Sequence, residues 1–199
     1  LSALASADPI PGGGSAAAYA GAMAAALVAM VARVTVGKKK YAEVEARMLE
    51  IIPQAESLRA ELDTGVHRDA DAFAAVLAAL KLPKESPERA AALEQATLGA
   101  AQVPLSAAEY ALQVLALAAE VAETGNLNAI SDAGSAGSLA HTAITAAGLN
   151  VKINAKTLTD RVAAAKLVGR IAELDQQAQQ YTGRIHAALN GRGGLGDAS

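Results

Sequence analysis

The sequence predicts an all-α protein, and three observations carry that prediction. About a quarter of its 199 residues are alanine while only 3% are aromatic, a balance that suits closely packed helices and starves a β-sandwich of the residues its strands need. Apolar residues recur at three- and four-residue spacing over long stretches. Glycine, proline and capping residues then cut the chain into helix-sized pieces. With 52% hydrophobic residues the chain can bury a substantial core. The expected architecture is a single multihelical bundle of long antiparallel helices over residues 1–190, with a disordered tail at 191–199 (GRGGLGDAS).

The first helix is expected from Ser15, as N-cap, to about Val36, where Gly37 and the cluster Lys38, Lys39, Lys40 end it. Ala17, Gly21, Ala25 and Ala29 repeat every fourth residue, so one stripe of this helix lacks bulk and invites a neighbouring backbone. Ala16 to Ala32 carries no charge. No basic segment precedes it, as a secretory signal requires, and alanine gains little on entering hydrocarbon. A buried helix of a bundle is therefore expected rather than a membrane span.

A second helix is predicted from Tyr41 to about Leu80, with Val44, Met48, Ile51, Ala55, Leu58 and Leu62 on its apolar face. Pro53 bends or divides it. KLPKESP is a connection, and Ser86-Pro87 reads as an N-cap followed by proline at the first helical position. The third helix is expected to reach about Gly99, with Pro104 either starting a fourth or kinking the third, and Gly125 ending the run. NLNAISDAG (126–134) is rich in turn and capping residues. A small-residue helix follows from Ser135 to Leu149, whose Ala133, Gly137, His141 and Thr145 repeat predicts packing against the first helix. A connection bearing Asn150 and Asn154 leads to a last helix over about 159–189.

The charge pattern narrows the function. Net charge is −3 and the pI about 5.6, so the field that would attract nucleic acid is missing. Cysteine is absent, which removes thiolate chemistry and fits a cytoplasmic location. The three histidines share no ligand spacing, so no metal site is expected. GGGS matches neither nucleotide-binding fingerprint, yet it feeds a helix N-terminus, where an anion is favoured. On the residues alone it is equally a ligand loop or a plain helix start. Asp69 and Asp71, two apart on one helix, cannot share a face. Asn126, Asn128, Ser131 and Asp132 form a polar concentration denser than a turn requires.

PIPGGGSAAA, GKKKY, DADAF followed by LPK, VPL, GNLNAISDAG and GLNVKINAK occur in one order between about Pro9 and Asp160. Together they resemble the formiminotransferase-cyclodeaminase C-terminal family, and in particular its stand-alone bacterial methenyltetrahydrofolate cyclohydrolases. The resemblance implies an all-α homodimer with a folate site in a cleft near the subunit interface. It implies hydrolysis of 5,10-methenyltetrahydrofolate to 10-formyltetrahydrofolate, or cyclisation of 5-formiminotetrahydrofolate with loss of ammonia. The lack of a formiminotransferase segment favours the hydrolase. Carried over motif by motif, it points to Gly12, Gly13, Gly14, Ser15, Lys38 to Tyr41, Asp69, Asn126, Asn128, Ser131 and Asp132. Ser135, Gly137 and His141 depart from the pattern, the first two standing where bulkier apolar residues are expected.

The methenyl substrate is a delocalised amidinium cation, so attack by water needs a base and then a proton donor to N5. Asp132 is the expected base, and Lys39 or Lys38, desolvated in the cleft, the expected proton carrier. Tyr41, Asn126 and Asn128 are expected at the pterin edge and the GGGS loop at a substrate carboxylate, with Asp69 and Ser131 also binding. No cofactor or metal is required, and neither nucleic acid nor membrane is expected as a partner. The alternatives are a cyclodeaminase and a non-catalytic folate-binding helical dimer.

Overall fold

The computed structural model describes residues 1–196. Five helices carry them: α1 (Gly13–Thr35), α2 (Glu45–Leu80), α3 (Pro87–Thr124), α4 (Ile130–Thr157) and α5 (Arg161–Gly191). Short 3-10 turns occupy Lys39–Val44 and Leu127–Ala129. The all-α expectation holds, with no strand among the described residues.

Cross-helix contacts set the directions. Arg33 pairs with Glu56 at 2.7 Å and Arg47 with Glu120 at 2.8 Å, so α2 runs antiparallel to α1 and α3. Asn126 of the α3–α4 turn meets Thr35 while Gly13 lies against Asn150, which makes α4 antiparallel to α1. Gly134, Gly137 and Gly148 of α4 face Leu189, Ile185 and Ile171. Helix α5 therefore runs back along α4 and lies across α3 and α4. The first four helices form an up-down bundle, closed on one side by α5.

Helix α1 is the packing centre, touching α2, α3 and α4. Its predicted stripe of Ala17, Gly21, Ala25 and Ala29 is buried. At Gly21 an added Cβ would stand 3.0 Å from Leu62 and 3.6 Å from Ala143, so the missing side chain is what admits α2 and α4 together. Both α1 and α3 are long and apolar enough to cross a bilayer by length and composition, but 61% of each apolar window is buried inside the bundle.

Several local expectations change. Ser15 is not an N-cap: α1 starts at Gly13 with Gly12 as cap, and Ser15 is a buried residue of its first turn. Tyr41 lies in the 3-10 turn, and α2 begins only at Glu45. Neither interior proline divides a helix. Pro53 is on the exposed face of α2, where water can take the freed carbonyl. Pro104 is buried in α3, and the carbonyl it leaves without a helical partner, Ala100, accepts a 2.8 Å hydrogen bond from the Asn154 amide. There is no connection at Asn150–Asn154 either, because buried Val151 and Ala155 continue the α4 face through both asparagines. The α4 stripe is shifted in register. Ala136, Ala140, Ala143 and Ala147 are buried, whereas His141 is half-buried and Thr145 exposed. At Gly137 a Cβ would come within 2.5 Å of Ile185 Cδ1, so α5 already fills the space of the bulkier residue expected there.

Of the 191–199 tail, Arg192 donates to the carbonyls of Ala122 and Gly125 and Leu195 N–H bonds to Leu189. Positions 197–199 lie outside the described residues.

Three carboxylates are held below their ordinary range. Glu56 is held there by Arg33 and Arg59, Glu94 by the backbone N–H groups of Asp160 and Thr159, and Glu123 by Arg184. A carboxylate with a depressed folded pKa contributes its full stability above the unfolded value and loses it as pH falls through the folded value. Thermal stability should therefore be flat near neutrality and fall below about pH 4. Melting followed by circular dichroism checks this, and Glu56→Gln should show a shallower acid fall.

Candidate functional site

Three polar side chains are buried among the described residues: Ser15, Thr35 and Thr97. Two of them lie at opposite ends of α1, and each anchors a cluster of the residues singled out from the sequence.

At the N-terminal end, Ser15 Oγ donates to Asp69 Oδ2 at 2.8 Å and lies 3.2 Å from the Val66 carbonyl. Asp69 thereby reaches from α2 to the first turn of α1. The approach is close enough that a Cβ on Gly14 would overlap its carboxylate, so glycine at 14 is a requirement of the contact. Beside it opens a cavity of about 290 Å³, walled by Gly12 to Gly14, Asp69, Phe73, Asn150 and Asn154. The volume is near the lower end of the roughly 300–1,000 Å³ range of small-molecule sites. Asp71 is exposed and takes no part.

At the C-terminal end, Thr35 Oγ1 donates to Val31 O at 2.7 Å and accepts from Asn126 N–H at 2.8 Å. The Asn126 side chain donates to Val34 O at 2.9 Å and accepts from Asn128 N–H. Tyr41 OH accepts from Leu127 N–H at 2.9 Å and keeps its own proton for another acceptor. Gly37, at φ 74°, makes the left-handed turn between α1 and this tyrosine. Lys38, Lys39 and Lys40 are exposed, with Lys40 Nζ 5.6 Å from the Tyr41 ring centre. Asp132 stands half-buried in the first turn of α4, next to exposed Ser131.

The structure thus gathers Gly12, Gly13, Gly14, Ser15 and Asp69 at one end, and Lys38, Lys39, Tyr41, Asn126, Asn128, Ser131 and Asp132 at the other. The 23 residues of α1 separate them by about 33 Å at 1.5 Å per residue. Within the chain they do not meet. The fold also leaves the lysines in solvent, so the desolvation expected for Lys38 and Lys39 is not supplied by the chain alone.

Sequence reasoning placed Asn150 and Asn154 in a connection and assigned Phe73 no functional role. All three line the cavity, Phe73 being 37% exposed. The signal available was the four-residue spacing of the asparagines, which puts both on one helix face. A wider groove of about 750 Å³ lies between α2 and α3. It is shallow, and its charged groups are already paired, Arg47 with Glu120 by two hydrogen bonds and with Glu50 by one. Among the described residues no group of three acidic or histidine side chains is placed to share a metal ion.

Residues 1–173 match the formiminotransferase-cyclodeaminase family profile. A methenyltetrahydrofolate cyclohydrolase of Methylorubrum extorquens is 43% identical over 196 residues, covering 96% of this chain and 94% of that enzyme. The mouse formimidoyltransferase-cyclodeaminase is 39% identical over 92% of this chain, which spans 34% of the mouse protein. Among solved structures, the formiminotetrahydrofolate cyclodeaminase of Thermotoga maritima superposes with a TM-score of 0.88 at 31% identity, covering 94% of this chain and 92% of that one.

Proposed function

The chain belongs to the formiminotransferase-cyclodeaminase family, and from that premise we infer that it is a folate one-carbon enzyme hydrolysing 5,10-methenyltetrahydrofolate reversibly to 10-formyltetrahydrofolate. The observation that favours the hydrolase over the cyclodeaminase is the higher identity to a full-length cyclohydrolase, 43% against 31% for the equally well covered cyclodeaminase. The cyclodeaminase reading is kept by the structural neighbour of that name. Purified protein given both substrates side by side decides. Loss of methenyl absorbance without ammonia release from the formimino substrate is the expected result, ammonia release alone assigns the deaminase, and folate binding without either turnover assigns a non-catalytic dimer.

The reacting carbon lies between N5 and N10 of a cation. Water adds to it as Asp132 takes one of its protons; the C–N5 bond then breaks as N5 is protonated and the remaining hydroxyl proton passes to solvent, leaving the formyl group on N10. Lys39 or Lys38 supplies the proton to N5, and the hydroxyl proton of Tyr41, left free by its bond to Leu127 N–H, supports a hydrogen bond to the substrate. The electrophile is already activated by its charge, so acid–base groups suffice and no metal or cofactor is assigned. Dialysis against a chelator should leave turnover unchanged. Loss restored by a divalent ion would overturn this.

A homodimer reconciles the two distant clusters. The outward face of α1 carries Ala16, Tyr19, Ala20, Met23, Leu27 and Met30 without a charge, and Tyr19 is 50% exposed. On α4, Leu149 and Ile153 are 64% and 60% exposed. A two-fold axis across the middle of α1 would cover such a face and set the glycine end of one protomer beside the Asp132 end of its partner. Mixing Gly14→Val and Asp132→Asn proteins, each inactive alone, should then restore about one quarter of wild-type turnover by random assortment into two-site dimers. No recovery after verified subunit exchange would place each site within one chain. The partners assigned are the folate and a second copy, not nucleic acid or membrane, and the location assigned is the cytoplasm.

A further inference from the structure

We propose that the cavity at the N-terminal end of α1 takes the pterin head of the folate, with Asp69 binding the N3–H and 2-amino edge of the ring. This rests on the folate reading above and specifies which part of the substrate each end of α1 receives.

The polar groups of this cavity favour a ligand that donates. Asp69 is a carboxylate with no arginine, lysine or histidine within ion-pair distance among the described residues, and the one side chain bonded to it, Ser15, is a neutral hydroxyl 2% exposed. The two asparagines add acceptors. Asn150 Nδ2 donates to Ala146 O at 2.9 Å and Asn154 Nδ2 to Ala100 O at 2.8 Å. A carbonyl partner requires the nitrogen to face it, which fixes both amides and leaves each Oδ1 as the free acceptor. For Asn154 the arrangement originates in Pro104, whose missing N–H frees the Ala100 carbonyl. A buried proline one helix away thus orients a side chain of the cavity.

The same geometry argues against an anion. A helix N-terminus attracts negative charge, but Asp69 already occupies the space against Gly14. A substrate carboxylate entering there would meet a fixed like charge. The glutamate tail is therefore directed elsewhere, and the expectation that the GGGS loop receives a carboxylate is replaced by one in which it receives Asp69.

Shape agrees with chemistry. The 290 Å³ volume suits one bicyclic ring and not a whole folate. The single phenylalanine of the sequence, Phe73, lies in its wall with Ile10 and Ile153, providing an aromatic and aliphatic lining for a flat ring. A 2-amino-4-oxopyrimidine presents two adjacent N–H donors, which a carboxylate accepts as a pair of charge-assisted hydrogen bonds. In this orientation the N5–C–N10 bridge lies toward the cavity mouth, away from Asp69.

Equilibrium binding of tetrahydrofolate tests the assignment, because that ligand carries no one-carbon unit and cannot turn over. An enzyme that fails the cyclohydrolase assay still answers the question. Wild-type protein should bind a tetrahydrofolate analogue lacking the 2-amino group on the order of 100-fold more weakly than tetrahydrofolate. Asp69→Asn, which keeps an acceptor for Ser15, should lose a similar factor for tetrahydrofolate and bind the analogue no worse than tetrahydrofolate. Equal binding of the two ligands by wild type, an Asp69→Asn affinity within about threefold of wild type, or no tetrahydrofolate binding by wild type would each overturn the proposal. The ligand-side comparison needs no mutation, so a misfolded variant does not blunt it.

Discussion

Asp132→Asn is expected to lower turnover of 5,10-methenyltetrahydrofolate by about 10²- to 10⁴-fold, the span of general-base catalysis, with little change in thermal stability. The stability half of the expectation follows from the surroundings. Asp132 is half-buried in the first turn of α4, and among the described residues its side chain accepts no hydrogen bond and joins no ion pair. Its carboxylate contributes chiefly its interaction with the helix N-terminus, worth about 0.3–1 kcal/mol. Asparagine keeps the size and loses the base. The chemical half follows from the substrate: a cationic amidinium binds near a carboxylate, and water held between them gives up its proton as attack proceeds. The measurement is the decay of methenyl absorbance at saturating substrate, beside a melt by circular dichroism. Turnover within about tenfold of wild type would remove Asp132 as the base.

Gly14→Ala is expected to fold and to raise the Michaelis constant on the order of 100-fold, whereas Gly13→Ala should change it by less than about threefold. The contrast is steric. At Gly13 a Cβ would stand 3.2 Å from the Asn150 amide nitrogen, a contact that a small shift relieves, while at Gly14 it would overlap the Asp69 carboxylate. Asp69 can escape by rotating about its own side chain, so the bundle need not move. Alanine is also the better helix former by about 1 kcal/mol. What the rotation removes is the Ser15 hydrogen bond and the placement of the carboxylate in the cavity. Kinetics of the two variants in parallel, with melts as controls, check this, and equal constants would return the glycine loop to being a helix start.

The fold was largely legible because its determinants are local or periodic. Met48, Ile51, Ala55, Leu58 and Leu62 mark one face of α2, and all are buried. Ser86 and Pro87 announce the start of α3, and Ser86 accepts from Glu88 N–H as an N-cap should. The misreadings also have local causes. Pro104 and the asparagines at 150 and 154 are breakers by propensity, and each was overruled by a partner that propensity does not contain. Pro104 is tolerated because Asn154 satisfies the carbonyl it frees, and the asparagines are carried through because Val151 and Ala155 are buried beside them.

The sequence by itself determined the helical class, the small-residue stripe of α1, and the family to which its ordered motifs point, since each depends on residue type and spacing along the chain. Only the tertiary structure decided where those motifs stand. Helix α1 is a rod of fixed rise, and its neighbours run antiparallel to it. Residues far apart in the chain, Ser15 with Asp69 and Thr35 with Asn126, are therefore brought together at its ends. The two clusters they anchor are held about 33 Å apart by the same rod, a separation that no pattern of spacing along the chain encodes.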